Sequence, residues 1–387
     1  MPRFRDASPA AGAASELVWL RRHIPLTEAV ARTLEPEVLR DRVVALNIHL
    51  DVKMIPVAEA LLRAGAQLAV LGCNPYTTRD DVTTFLRAAG AEVSARAGMT
   101  EQERAEAMCW AAGVGCEFIS EMGGELTALI VERFPDRIPP LRASMEATGT
   151  GIARLRALRL PIPVFNWDGV TLKQGLHNRY LVGLMVWHTF IGVTQLTLFD
   201  RRVAVIGYGP VGQGIAEYAR LLGARVMVSD LNPVRQLQAR HQGVEVMPLS
   251  EALRAADVVV TATGRDGVIG QRELELLPDG CILANAGHSN GEIDVTELRR
   301  APSARLRPAL EEFRLGGRRL YLLAGGAMLN LAAGFGDPYD AFDLTTALML
   351  AGIAFMVRRH QEFAPGLHLL PDEVEQQVAA LAAGVRR

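Results

Sequence analysis

Lys173, His177 and Asn178 stand at i, i+4 and i+5 in "VTLKQGLHNRY", residues 170–180. That spacing can bring an amine, an imidazole and a carboxamide to one side of a helix turn. Such a trio could exchange protons near neutral pH and hold a hydroxyl; a solvated helix face is the plainer reading. Downstream comes "RVAVIGYGPVGQG", with Gly207, Gly209 and Gly212 in a G-x-G-x-x-G pattern that encloses Pro210 and Val211. The pattern ends an apolar run, opens a helical one, and is followed by Asp230 at the end of "RVMVSD". In that context Gly207 allows a tight turn, Gly209 lets backbone approach a pyrophosphate, and Gly212 lets helix and strand pack closely. Asp230 is placed to accept from ribose hydroxyls and repels a 2′-phosphate, which favours NAD over NADP. Arg235 lies close enough to leave NADP open.

The elements around these residues alternate. "RVVALNIHL", "QLAVLGCNP", "CEFISEM" and "IPVFNWDGV" read as strands, with helical stretches between them. Thr77 or Thr78 is the expected N-cap of the helix in "TTRDDVTTFLRAAGA". A long helix over roughly 173–197 leads to a second alternation: "RVAVIGYG", "RVMVSD", "VEVM", "DVVVTATG", "GCILANAG" and "RLYLLAGG". The expected fold is α/β, with two doubly wound parallel-sheet domains. The first covers residues 1–183 and is completed by a helical segment, 337–387, that returns to it. The second, 184–336, is a Rossmann domain. The Ala/Ser-rich first 15 residues read as disordered.

Bulk properties exclude several classes. A formal net charge of −2 over 387 residues gives no electrostatic basis for binding nucleic acid or an anionic membrane. Cys73, Cys109, Cys116 and Cys281 form no C-x-x-C pair, so neither a zinc site nor a disulfide framework is expected. The N-terminus lacks the apolar core of a signal peptide, and a cytoplasmic location is expected. "ALMLAGIAFMV", 347–357, is too short to span a bilayer and reads as a buried helix.

Several segments together resemble the S-adenosyl-L-homocysteine hydrolase family. They are "NIHLDVKMIPVAEALLRAGAQLAVLGCNPYTTRDD", "GGELTALI", "SMEATGTG", "DGVTLKQGLHN", "VAVIGYGPVGQG", "NAGHSNGEIDV" and "GGAMLNLAAGFGDP". The resemblance implies tightly held NAD, transient oxidation of a substrate 3′-hydroxyl and elimination of the 5′-substituent. Lys173 and Asn178 match the family residues that handle the 3′-hydroxyl and the nicotinamide. His49 and Glu146 match substrate-site residues, and His288 matches a histidine near the nicotinamide. Thr261, Thr263, Asn285 and Asn330 fall at or beside cofactor-contact positions. The resemblance also implies a homo-oligomer, a dimer or a tetramer.

The departures cluster in the same positions. Met122 stands where the family has a catalytic acid, with Glu121 adjacent. His177 replaces the Asp beside the family's Asn, and Asp337 replaces the His of its Gly-His-Pro motif. Asp51 replaces a Thr and Val182 a Cys. At base-recognition positions Lys53 stands for a Glu and Arg79 for a Gln, though Asp51, Lys53 and Arg79 read equally as an internal ion-pair network. The sequence ends at "AALAAGVRR", without the family's C-terminal Lys/Tyr segment. A site built to hydrogen-bond one base rejects others strongly. The expectation is therefore retained redox machinery acting on a different nucleoside-like substrate, as a hydrolase, lyase or dehydratase. True S-adenosylhomocysteine hydrolysis and a catalytically idle NAD-binding regulator are the alternatives.

Overall fold

The computed structural model describes residues 9–35, 37–288 and 290–385. The strands, in chain order, begin with β1 (Val43–Ile48), β2 (Gln67–Gly72), β3 (Glu92–Ser94), β4 (Phe118–Glu121) and β5 (Ala143–Glu146). They continue with β6 (Pro163–Asn166), β7 (Arg202–Ile206), β8 (Arg225–Ser229), β9 (Glu245–Val246) and β10 (Val258–Thr261). The last are β11 (Ile282–Asn285), β12 (Ser303–Arg307), β13 (Leu310–Leu315), β14 (Arg318–Leu323) and β15 (Gly366–Leu369). The chain divides into two compact units. One ends at Lys173 and resumes at Tyr339; the other is continuous from Gln174 to Pro338. The division falls inside the helical segment, ahead of the boundary expected at 183.

In the first unit the sheet order is β3-β2-β1-β4-β5-β6-β15, with every pair parallel. Apart from β15 this is the doubly wound order, and the connections reverse direction between β1 and β4. The strands are apolar on both faces because helices cover both. One of those helices, Tyr339–Arg359, is long and apolar enough by composition to cross a membrane. Here Leu348, Leu350, Ile353 and Met356 are fully buried in the core cluster that also holds Leu46, Met145 and Phe165.

The second sheet runs β12-β13-β14-β11-β10-β7-β8-β9. Six of its strands repeat the parallel doubly wound order, with the reversal between β7 and β10. β12 and β13 pair antiparallel and extend the β14 edge. The purely parallel expectation missed this, because Gly316 and Gly317 turn the chain with positive φ between β13 and β14.

Three further expectations need correction. Residues from Pro9 to Arg22 form a helix whose Leu20 is fully buried; only residues 1–8 of the segment expected to be disordered lie outside the described residues. The helix Asp80–Ala88 starts at Arg79 with no side-chain cap. Thr77 and Thr78 donate instead to the Asn74 carbonyl, both at 3.0 Å. The C-terminal segment contributes a strand as well as helices, and β15 pairs with β6.

Candidate active site

Each unit gathers its candidate residues at the carboxyl ends of its strands, where doubly wound sheets bind ligands. In the second unit Gly207 follows β7 with φ +97°, a conformation side chains disfavour. A Cβ on Gly212 would lie 1.9 Å from the Gly207 carbonyl oxygen, so only glycine lets helix Pro210–Leu221 start this close to β7. Gly209 caps that helix, and Pro210 occupies its first turn. Asp230 follows β8; its carboxylate accepts from Tyr208 N at 2.6 Å and Asn232 N at 2.7 Å. The Arg235 guanidinium is 3.6 Å from the Asp230 carboxylate. Thr261 and Asn285, opposite each other on β10 and β11, are joined by a 3.1 Å hydrogen bond. Asn285 also accepts from Gly287 N and donates to Gly326 O. These two residues therefore brace the sheet end. Half-buried His288 follows in the loop.

Glu292, fully buried, ties this end together. It accepts from Thr263 N at 2.9 Å, Thr263 Oγ1 at 2.7 Å and Gly264 N at 2.7 Å. Burial raises its carboxyl above the ordinary value, against the pull of those donors. Asn330 is 2% exposed, and its Oδ1 has no hydrogen-bond partner among the described residues. A glycine cradle at a helix N-terminus, an acid after the second strand and an orphaned buried acceptor fit a pyridine dinucleotide with a carboxamide donor.

The opening stretch is a π-helix, Thr171–Leu181, continued by the α-helix Val182–Thr194. Its i→i+5 bonding makes a turn longer than an α-turn, and such segments recur at functional sites. Lys173 is the last residue of the first unit and is 9% exposed. The Leu172 amide donates to Glu375, which anchors the first turn. Within the second unit a Cβ on Gly214 would lie 1.6 Å from the Arg179 carbonyl oxygen. Gly214 thus lets the end of the π-helix press against helix Pro210–Leu221. A Cβ on Gly183 would lie 2.5 Å from the Gly214 carbonyl carbon, and Trp187 Nε1 donates to Ile215 O at 2.8 Å. His177 Nε2 lies 3.3 Å from Asp337 Oδ2, and both side chains are buried.

In the first unit Asn47, Glu121, Glu146 and Asn166 occupy one register row across β1, β4, β5 and β6. Glu121 accepts from Leu126 N and Thr127 N, at the start of helix Glu125–Arg133. Glu146 accepts from Gly123 N, Gly124 N, Thr148 N and Thr148 Oγ1, at 2.6–3.0 Å. Its carboxyl is pushed up to about 8 by burial and then by the neighbouring Glu121 charge. Both acids therefore organise loops, and Met122 beside them is buried. His49 follows β1, its Nδ1 2.7 Å from Thr77 Oγ1 and 3.4 Å from Cys73 Sγ. Because the Thr77 hydroxyl donates to Asn74 O, the ring proton is assigned to Nδ1 and the lone pair to Nε2. Lys53, 4% exposed, pairs with Asp51 at 2.9 Å and lies 5.1 Å from the Phe342 ring centroid. Arg79 belongs to a separate network, 2.7 Å from both Glu16 and Asp81.

Family comparison gives this geometry its frame. The model for S-adenosyl-L-homocysteine hydrolase matches residues 24–161, and the one for that enzyme's NAD-binding domain matches 188–336. The chain belongs to the S-adenosyl-L-homocysteine hydrolase family. It is 35% identical to adenosylhomocysteinase of Thermotoga maritima, over 94% of this chain and 92% of that one. It is 34% identical to S-inosyl-L-homocysteine hydrolase of Methanopyrus kandleri, over 98% and 91%. An NAD⁺-bound 3-phosphoglycerate dehydrogenase from Entamoeba histolytica aligns at 12% identity with TM-score 0.48, over 85% of this chain and 99% of that one.

Within the hydrolase frame, the sequence-level residues separate into groups. Gly207, Gly209, Pro210, Gly212 and Asp230 form one cradle. His177 and Asp337, far apart in sequence, come together. Buried Lys53 pairs with half-buried Asp51, while Arg79 pairs with Glu16 and Asp81. Two residues escaped the sequence reading. Asn47 is a polar residue in the apolar strand "VVALNI", and both of its side-chain polar atoms are buried without a hydrogen-bond partner among the described residues. That mismatch was a usable signal. Glu292 gave none, because its neighbours come from separate loops.

Proposed function

We propose that this chain cleaves the thioether of an S-ribonucleosyl-L-homocysteine by a redox-neutral route with NAD held at Gly207–Gly212, Asp230 and Asn330. The observation that carries the reading is the similarity, over nearly the whole chain, to hydrolases named for two such thioethers. When bound, NAD supplies a reversible hydride acceptor for a secondary alcohol of the sugar. Lys173 exchanges the proton of the 3′-hydroxyl, and Asn178 contributes hydrogen bonds only. His49, with its lone pair on Nε2, exchanges a proton at the leaving side. Glu146 and Glu121 fix the loops that enclose the sugar. A lyase or dehydratase with a different leaving group has no comparable support.

The base is a finer question, and Lys53 bears on it. A buried ammonium stands where the family has a carboxylate, so a donor replaces an acceptor. A donor suits the C6 carbonyl of a 6-oxopurine better than the C6 amine of adenine, and the neighbouring Asp51 suits N1–H. We assign the inosyl thioether as the preferred substrate. Purified protein is given S-inosyl- and S-adenosylhomocysteine separately, and released homocysteine is followed with a thiol reagent. Release at least tenfold faster from the inosyl compound is expected. Equal or reversed rates overturn the base assignment, and no thiol from either overturns the function.

A further inference from the structure

The family carries Asp beside its Asn and His in Gly-His-Pro; this chain carries His177 beside Asn178 and Asp337 in "GDP". Each change alone reverses the character of a buried position. In the structure they meet: His177 Nε2 is 3.3 Å from Asp337 Oδ2, with side chains 4% and 5% exposed.

Both arms of this contact rest on backbone. Gly214 sets the His177 arm by admitting the Arg179 carbonyl. On the other arm the Gly336 amide donates to Asn330 O at 2.9 Å, which closes the loop just before Asp337. Gly334 lies under the same loop, where a Cβ would meet Thr189 Oγ1 at 2.4 Å and Asn330 O at 2.6 Å. Asn330, which anchors this loop, is the residue with the orphaned Oδ1.

We propose that His177 and Asp337 act as one pair, in which the Asp337 carboxylate holds the His177 ring in place. This pairing has the proton-carrying ring on the π-helix beside Asn178 and the carboxylate behind it. With Nε2–H directed at Asp337, the neutral ring carries its lone pair on Nδ1. Asp337 is then a positioning residue: it fixes tautomer and ring plane and balances the charge when the ring is protonated.

The inference rests on the proposed hydrolase reading for its kinetic arm only. His177→Asp sets two carboxylates face to face, Asp337→His sets two imidazoles, and the double variant restores one of each in opposite order. Each single change is expected to lower kcat at least 100-fold on whichever thioether the wild type cleaves. The double variant is expected to recover at least tenfold over either single. Asp337→Asn, whose amide oxygen still accepts from Nε2, is expected to lower kcat tenfold or more with KM within twofold. NAD content, read after gel filtration, serves as the check on folding. The thermal midpoints of the same four proteins form a cycle that needs no turnover, and the double variant is expected to melt above both singles. If wild type releases no thiol, the function falls while this cycle still decides the pairing. A double variant no better than the worse single in either readout, or a fully active Asp337→Asn, overturns the proposal.

Discussion

Glu292→Ala is the sharpest test of how the cofactor loops are held. The wild-type carboxylate, with no solvent exposure, receives two backbone amides and the Thr263 hydroxyl at 2.7–2.9 Å. Alanine leaves those donors facing a cavity. The hydroxyl can rotate to another acceptor, but the Thr263 and Gly264 amides cannot. Each buried donor left unpaired costs about 1–3 kcal/mol, so the expected loss is about 3 kcal/mol once water enters the cavity. For a unit of this size that lowers the melting midpoint by roughly 6–12 °C. Glu292→Gln keeps the oxygen that accepts from Thr263 and turns its amide toward Gly264 N, so it loses a single charge-assisted bond, about 1.5–3 kcal/mol. The order of midpoints should be wild type, Gln, Ala, read by scanning fluorimetry. NAD retained through gel filtration should fall in the same order. An Ala variant that melts within 2 °C or so of wild type and keeps its NAD refutes the reasoning.

Burial, and then the neighbouring Glu121 charge, push the Glu146 carboxyl up to about 8 from an ordinary 4.5. The folded state therefore holds a proton that the unfolded state lacks between those values, and stability falls as pH rises across that window. Glu146→Gln should flatten this slope in urea melts; an unchanged slope would assign it elsewhere. Gly214→Ala drives a Cβ to 1.6 Å from a carbonyl oxygen and should cost about 1–3 kcal/mol or more. Gly192→Ala, which meets nothing within 4 Å on its helix, should gain about 0.5–1 kcal/mol. Thermal midpoints that fail to separate these two variants would remove the close helix contact from the account. Lys53→Glu should move the inosyl-to-adenosyl rate ratio toward adenosyl by about 100-fold; a ratio within threefold or so of wild type detaches Lys53 from the base.

The glycine cradle was legible in the sequence because its chemistry is local: a turn, a close approach and a helix start lie within a few residues. The two alternations of strand and helix were legible for the same reason. The π-helix was not, since i, i+4, i+5 suits either helix type and only the bonding pattern separates them. The helix from Pro9 was missed because Ala-rich composition suggested disorder. Alanine is also the best helix former, and Leu17 and Leu20 supply a buried stripe. The strand at 366–369 follows a long helix and precedes another, with no alternation strong enough to mark it. The His177–Asp337 contact was visible only as two separate oddities. Sequence spacing carries no information about pairs so far apart, and the departures became one feature only when the loop closed by Asn330 brought them together.

The first sheet takes its edge strand β15, and its core takes the helix Tyr339–Arg359, from chain that follows the whole second unit. On the ribosome the order of birth and the order of completion therefore differ. The continuous segment Gln174–Pro338 has all its strands in hand when it emerges and can fold at once. The earlier-made strands β1 to β6 must wait, with apolar faces such as Leu46, Met145 and Phe165 uncovered, until the segment from Tyr339 onward leaves the exit tunnel. Substitutions in the C-terminal helix should thus be felt as lost yield of soluble chain before they are felt as lost turnover.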